Sequence, residues 1–250
     1  MPPTDASADD GHVSVTVPGY PGRHGSGGDS EDTLDLRLPD ELIALFAGAT
    51  AGDGALSAME DDLLDHVGAW GPTVTPAGPF QLVPVRLDRD VPLISRWMND
   101  PAVAAFWELA GPTSRTEDHL RAQLTGDGRS VPCVGMLDGT PMSYWEIYRA
   151  DLDPLARHYP ARPHDTGIHL LVGGVADRAR GLGSVLLRAV ADLVLDRRPA
   201  CVRVVAEPDL RNTPSVAAFL TAGFRFAAEV DLPAKRAALM IRDRSLRDLM

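Results

Sequence analysis

The stretch Thr166-Gly-Ile-His-Leu-Leu-Val-Gly-Gly-Val-Ala-Asp-Arg-Ala-Arg-Gly-Leu-Gly-Ser-Val-Leu-Leu-Arg188 constrains the fold more than any other part of the chain. Its first half, Ile168 to Val172, is apolar and branched and reads as a buried strand, while from Gly183 onward apolar residues recur at helical spacing. Between the two lies a turn holding Arg178, Arg180, Gly181 and Gly183. The first amides of a helix have no internal partners, and the aligned peptide dipoles place partial positive charge on them. Gly181 and Gly183 carry no Cβ and let an anion approach the backbone. Arg178 and Arg180 add forked donors suited to phosphate oxygens. Strand, turn and helix start together read as a phosphate cradle. The turn lacks the Gly-Lys-Ser/Thr ending of a P-loop and the Gly-x-Gly-x-x-Gly of a dinucleotide site.

The rest of the chain is acidic, with a net charge of -11 over 250 residues. That balance argues against a nucleic-acid partner and favours a cationic or neutral small molecule. A basic spot on such a background suits a multiply anionic cofactor. Cys133 and Cys201 sit in apolar contexts and read as buried thiols of a reducing compartment. No run reaches the roughly 18 apolar residues of a membrane span, and the N-terminus has neither the basic region nor the apolar core of a signal peptide. A cytoplasmic protein with no membrane partner is expected.

Three regions follow from the patterning. Residues 1–32 are rich in Gly, Pro, Asp and Ser and are expected to stay disordered. Residues 33–78 read as a helical extension and linker, with a helix opening at Pro39 and a capping box at Ser57-Ala-Met-Glu60 ahead of Leu63, Leu64 and Val67. Such short helices cannot make a core; they should pack on the main domain or on a partner chain, which leaves a homodimer open. Residues 79–250 form the main domain. It opens with a strand from Phe80 to Leu87 and a helix capped by Asp90 and closed by Asn99-Asp-Pro101. A second helix follows behind Ser114-Arg-Thr-Glu117, then a hairpin about Asp138-Gly139. After the central strand and helix come a strand at Cys201 to Ala206, a helix from Thr213 to Ala222 and two closing strands. This predicts an α/β (α+β) fold with a mixed, mostly antiparallel sheet flanked by helices.

Along the central strand, Ile168, Leu170 and Val172 face one way and His169 and Leu171 the other. His169 among aliphatics is either a satisfied structural imidazole or a group that switches charge near neutral pH. Asp209 falls near the carboxyl end of the strand expected beside it, where it is either a helix cap or a carboxylate for that imidazole. Glu146 lies in a mostly apolar strand and needs a partner, whether an arginine or a cationic amine. Trp97, Trp107, Tyr144 and Trp145 read as core aromatics or as a wall for an aliphatic amine.

Arg178-Ala-Arg-Gly181-Leu-Gly183 resembles the Arg/Gln-x-x-Gly-x-Gly/Ala turn of the GCN5-related N-acetyltransferase (GNAT) superfamily. Four further segments narrow this: Trp97-Met-Asn-Asp-Pro-Ala-Val-Ala-Ala-Phe-Trp107, Tyr144-Trp-Glu-Ile-Tyr148, Asp165-Thr-Gly-Ile-His169 and Glu207-Pro-Asp209-Leu-Arg-Asn212. Together they resemble the acyltransferases of hydroxamate siderophore biosynthesis that act on N6-hydroxylysine, lysine or N-hydroxycadaverine. The resemblance covers roughly residues 80–245. It implies a GNAT fold and an acyl-coenzyme A co-substrate (acetyl- or succinyl-CoA), with no metal. It implies catalysis by His169 with Asp209. Coenzyme contacts are implied at Leu171, Val172, Gly173, Arg178, Arg180, Gly181, Leu182, Gly183 and Ser184, with Asn212 and Ser215 as further contacts or caps. An acceptor pocket is implied at Trp97, Asn99, Trp107, Tyr144 and Glu146 for a small amine or hydroxylamine.

Two other readings compete. One keeps the fold and changes the acceptor to an antibiotic or protein amine. The other is a non-catalytic coenzyme-binding or scaffolding module.

Overall fold

The computed structural model describes residues 64–249; the stretch 1–32, the helix expected at Pro39 and the capping box at Ser57 lie outside the described residues. One sheet of eight strands carries the domain, in the order β1-β2-β3-β4-β5-β6-β8-β7. The strands are β1 (Thr73–Thr75), β2 (Gly78–Pro84), β3 (Ser130–Leu137), β4 (Thr140–Arg149), β5 (Thr166–Val172), β6 (Arg203–Ala206), β7 (Arg225–Asp231) and β8 (Arg236–Asp243). Helices α1 (Leu87–Met98), α2 (Pro101–Trp107), α3 (Thr113–Leu124), α4 (Leu182–Arg197) and α5 (Thr213–Thr221) accompany them. All neighbouring strands run antiparallel except β5 and β6, which are parallel. A parallel pair needs a long crossover, and α4 lies in that crossover.

Period-2 alternation sorts the side chains of β4 and β5 onto two faces. Trp145, Ile147 and Ile168 join a core with Leu186, Val190 and Val194 of α4. Tyr144 and Leu171 point the other way, into a second cluster with Ile94 and Met98 of α1, Val103 of α2 and Leu120 of α3. The facing read from the sequence for β5 thus holds. Leu64, Val67 and Trp70 are buried in the same core as Trp145, so the 3-10 turn Leu64–Ala69 packs directly on the sheet.

Local signals explain most boundaries. Asp138 (φ 50°) and Gly139 (φ 73°) both take the positive φ of a type I′ turn between β3 and β4. The end of the segment expected as extension and linker, 73–78, instead pairs with the start of the main domain in the β1–β2 hairpin, in which the Thr75 hydroxyl donates to the Gly78 carbonyl at 2.7 Å. Helix α1 starts before Asp90, whose carboxylate reaches back to the Arg86 N–H at 2.8 Å. The Ser114–Glu117 capping box does not form, because α3 begins at Thr113 behind Pro112, two residues earlier than such a cap requires. Helix α2 is an addition to the expected elements: Asp100 caps it through the Ala102 N–H at 2.9 Å and Pro101 occupies its first turn.

One irregularity positions the site. β5 and β6 are paired only at Thr166↔Val204 and Gly167↔Val205. From Ile168 onward β5 stays on β4, while the segment after β6 follows β8 through the Asp209↔Ala237 bridge. Pro208 has no N–H to offer a strand ladder. The sheet therefore opens into a wedge at its centre.

Candidate active site

The wedge is the mouth of a cavity of about 440 Å³. Ile168, His169 and Leu170 line one wall; Ala206, Glu207, Pro208 and Asp209 line the other. Asn212, Ser215 and Phe219 of the α5 region, Lys235 of the β7–β8 turn, and Phe106, Trp107, Glu108, Leu109 and His119 complete it, with Glu146 at its base.

His169 is held from both sides. Its strand register places it directly opposite Glu146, and Nδ1 lies 2.8 Å from Glu146 Oε2. Nε2 lies 2.5 Å from Glu207 Oε1. The ring is edge-on to Trp107 at 6.1 Å and tilted over Tyr148 at 4.8 Å between centroids. Gly167 makes room for that tyrosine, since a Cβ there would meet the ring at 2.0 Å. Burial alone would lower the pKa of the imidazole, but the charge of Glu207 and the hydrogen bonds to both glutamates raise it to about 10. The ring in this pocket is an imidazolium donating to two carboxylates. Burial opposes ionisation of the glutamates in turn, yet their contacts hold both well below the usual carboxylate range, Glu146 chiefly through His119 and His169 and Glu207 through His169.

Neither glutamate stands alone. Glu146 Oε1 is 2.6 Å from His119 Nε2 and accepts from Gln123 Nε2 at 2.8 Å and the Tyr144 hydroxyl at 2.9 Å. The Tyr148 hydroxyl donates to Glu207 Oε2 at 2.7 Å, and Lys235 Nζ is 3.6 Å from Glu207 Oε1. Lys235 is the only lysine in the chain; all other members of the 24 Lys and Arg residues are arginines.

The structure redistributes the residues singled out in the sequence. Asp209 lines the cavity, but its carboxylate is taken by Arg211: Oδ2 accepts from Nη2 at 2.6 Å and Oδ1 from the backbone N–H at 2.8 Å. That bond to Arg211 is the main reason its pKa is lowered. The carboxylates on His169 are Glu146 and Glu207. Trp97 covers the backbone of Gly173, where a Cβ would lie 2.0 Å from its ring, and Asn99 ties the end of α1 to both backbone groups of Gly111. Neither lines the cavity. Tyr144 is buried behind Glu146, so of the expected acceptor wall Trp107 and Glu146 remain. Sequence reasoning misses His119, Gln123 and Glu207. Glu207 stands two residues from the aspartate that it favours, and the lone lysine is a signal that composition offers.

The turn before α4 is also differently built. Arg178 donates to the carbonyls of Val172 (3.0 Å) and Gly173 (2.9 Å) and to Asp100 Oδ1 (2.9 Å). It is a brace joining the end of β5 to the start of α2, and its donors are not presented to an anion. Leu171 packs in the core, and the Gly173 N–H bonds the Met142 carbonyl at 2.8 Å. Gly181 caps α4 in the left-handed region at φ 77°, with open space where a Cβ would stand. The Ser184 hydroxyl donates to the Gly181 carbonyl at 2.8 Å. What faces outward is the exposed Arg180 and the first helical amides, from Leu182 to Ser184. Asn212 caps α5 through the Ser215 N–H at 3.3 Å, and both residues line the cavity.

Residues 86–232 match the acetyltransferase (GNAT) domain family. This chain belongs to that family. As a GNAT acyltransferase it has curated relatives that include lysine N-acyltransferase MbtK of Mycolicibacterium paratuberculosis, 40% identical over 66% of this chain and 74% of that one. The N(6)-hydroxylysine O-acetyltransferase of Escherichia coli is 37% identical over 62% of this chain and 49% of its own length. A Bacillus halodurans protein of known structure superposes with a TM-score of 0.67 at 33% identity, covering 72% of this chain and 94% of that one. An aminoglycoside acetyltransferase solved with coenzyme A shares the fold of the GNAT domain, with a TM-score of 0.61 at 21% identity, over 68% and 98% of the two chains. Among the described residues, no helix is long and apolar enough to cross a membrane.

Proposed function

We propose that this enzyme transfers a short acyl group from an acyl-coenzyme A to the nitrogen of an N-hydroxylated diamine or N6-hydroxylysine, forming a hydroxamate for a siderophore. The observation that carries the reading is the wedge between β5 and β6, with an imidazole and two carboxylates on its walls. A slot between parting strands suits an extended pantetheine arm, and the outward amides of Leu182 to Ser184 with Arg180 suit its pyrophosphate. Acetyl- and succinyl-CoA are the donors in this reading. The relatives named for lysine and hydroxylysine acylation support the acceptor class. The intracellular supply of acyl-coenzyme A fits a cytoplasmic enzyme.

Thioesters are already reactive, so holding carbonyl and nitrogen together contributes much of the rate. Trp107 gives the alkyl chain of the acceptor an apolar face, and the acidic cavity attracts its distal ammonium. The attacking nitrogen must lose a proton. In this reading His169 takes it at Nε2, in the fraction of molecules whose imidazolium has first released its Nε2 proton to solvent through the cavity mouth.

The test is direct. Purified protein is mixed with acetyl- or succinyl-CoA and N-hydroxycadaverine, N6-hydroxylysine, lysine or an aminoglycoside, with thiol release and iron(III)-hydroxamate colour as readouts. Turnover with a hydroxylamine at a kcat/KM at least about tenfold above the unhydroxylated amines supports the reading, since discrimination of that size is within reach of one well-placed polar contact. Preference for lysine or the aminoglycoside overturns it.

A further inference from the structure

We propose that Glu207, rather than Asp209, is the carboxylate that positions His169 and sets its affinity for a proton. This rests on the acyl-transfer reading for its kinetic consequences but not for its chemistry. The geometry is one-sided. Glu207 Oε1 lies 2.5 Å from Nε2, the ring nitrogen on the β6 side of the wedge, opposite the Nδ1 contact to Glu146. Asp209 makes its hydrogen bonds to Arg211.

Glu207 is itself oriented. Its other oxygen accepts from the buried Tyr148 hydroxyl, and that ring also lies tilted against His169. One tyrosine thus orients both partners. Lys235 shares Oε1 from the β7–β8 turn at 3.6 Å. It lies where it can retain the carboxylate when His169 turns to an incoming nitrogen. Such an exchange makes Glu207 the movable partner and Glu146 the fixed one, since Glu146 is locked by His119, Gln123 and Tyr144.

Among the described residues, the charged and titratable groups that face the imidazole are few. Glu146 and Tyr148 come from β4, Glu207 from the segment after β6, and Lys235 from the β7–β8 turn, acting through Glu207. His119 of α3 acts through Glu146, and Asp153, before the 3-10 turn at Pro154, shares the field of both glutamates and His169. Trp107 of α2 is uncharged. Removing the charge of Glu207 therefore removes one of the two carboxylates in direct contact, and an opposite charge at that range shifts a pKa by about 1–3 units.

The experiment compares Glu207→Gln, which keeps an acceptor for Tyr148, with Asp209→Asn. The pH profile of kcat/KM reports free-enzyme groups, and NMR titration of the 15N-labelled imidazole reports His169 without any turnover. For Glu207→Gln, the His169 midpoint and the pH at which kcat/KM levels off both drop by about one unit or more, and plateau kcat falls about tenfold or more. Asp209→Asn moves the midpoint by far less. A His169 midpoint unchanged in Glu207→Gln, or moved as much by Asp209→Asn, overturns the proposal. The NMR arm decides even if no hydroxylamine is turned over, so failure of the acyl-transfer reading is distinguishable. Unchanged coenzyme binding by calorimetry shows that the variants are folded.

Discussion

Nε2 of His169 and Oε1 of Glu207 meet at 2.5 Å across a gap where their two strands have ceased to pair. The contact spans the mouth of the wedge, while Nδ1 is held within the β4–β5 ladder by Glu146. This imidazole therefore sits where the sheet parts, with a carboxylate on each ring nitrogen.

Replacing His169 with alanine is expected to lower kcat by about ten- to a hundredfold or more, in line with losses of a general base. Coenzyme affinity, measured by calorimetry, should survive, because the α4 amides do not depend on the ring. Turnover equal to that of the parent would remove His169 from the mechanism.

The ion cluster gives folding stability a defined pH window. The folded pKa of His169, about 10, lies above its unfolded value near 6.5, so its contribution is complete below about pH 6.5 and is lost as pH rises through about 10. Glu207 is displaced the other way; its contribution is present above about pH 4.5 and lost as pH falls toward about 2. Urea unfolding at about pH 6, 8 and 10 should show stability falling on the alkaline side, and the fall should be shallower in His169→Gln. Parallel slopes in the two proteins would contradict the clamped imidazolium.

Arg178 and Asp100 should behave as one unit. Arg178→Ala frees the carbonyls of Val172 and Gly173 and unties α2, so thermal stability drops along with coenzyme affinity. In a double-mutant cycle with Asp100→Ala the two losses should not add. Additive losses, with only coenzyme binding affected, would return Arg178 to phosphate contact.

The two glycines at the α4 start separate conformation from space. A Cβ at Gly183 would lie 3.9 Å from Ala218 Cβ, an ordinary contact, so Gly183→Ala should bind coenzyme A nearly as the parent does, whereas Gly183→Asp should not. Gly181→Ala meets no atom but must hold φ 77°, which costs about 1–2 kcal/mol. Its melting temperature should fall even though no contact is lost.

Much of this architecture is legible in the sequence because its signals are local. The Asp138-Gly139 turn, the Asn212 cap and the alternation of Ile168, His169 and Leu170 each follow from neighbours in sequence. The turn from Arg178 to Gly183 stands out for the right reason, yet its sequence says nothing of how Arg178 is used. Nothing local reveals that the Arg178 donors are claimed by Val172, Gly173 and Asp100. The same limit hides His119, which reaches Glu146 across 27 positions of sequence, and it assigns Trp97 to a pocket when the ring covers Gly173. Asp209 and Glu207 lie at the same strand end. Only the trace of the chain after Pro208 decides which carboxylate meets the imidazole.

The lone lysine carries one more implication. A protein that handles activated thioesters risks modifying its own amines, and this one carries guanidinium groups, which do not react so, at every other basic Lys or Arg position. Lys235, half shielded beside Glu207, is the sole side-chain amine left for such damage. Among the side chains in this sequence, an amine-reactive reagent should therefore mark the one that lines the cavity beside Glu207.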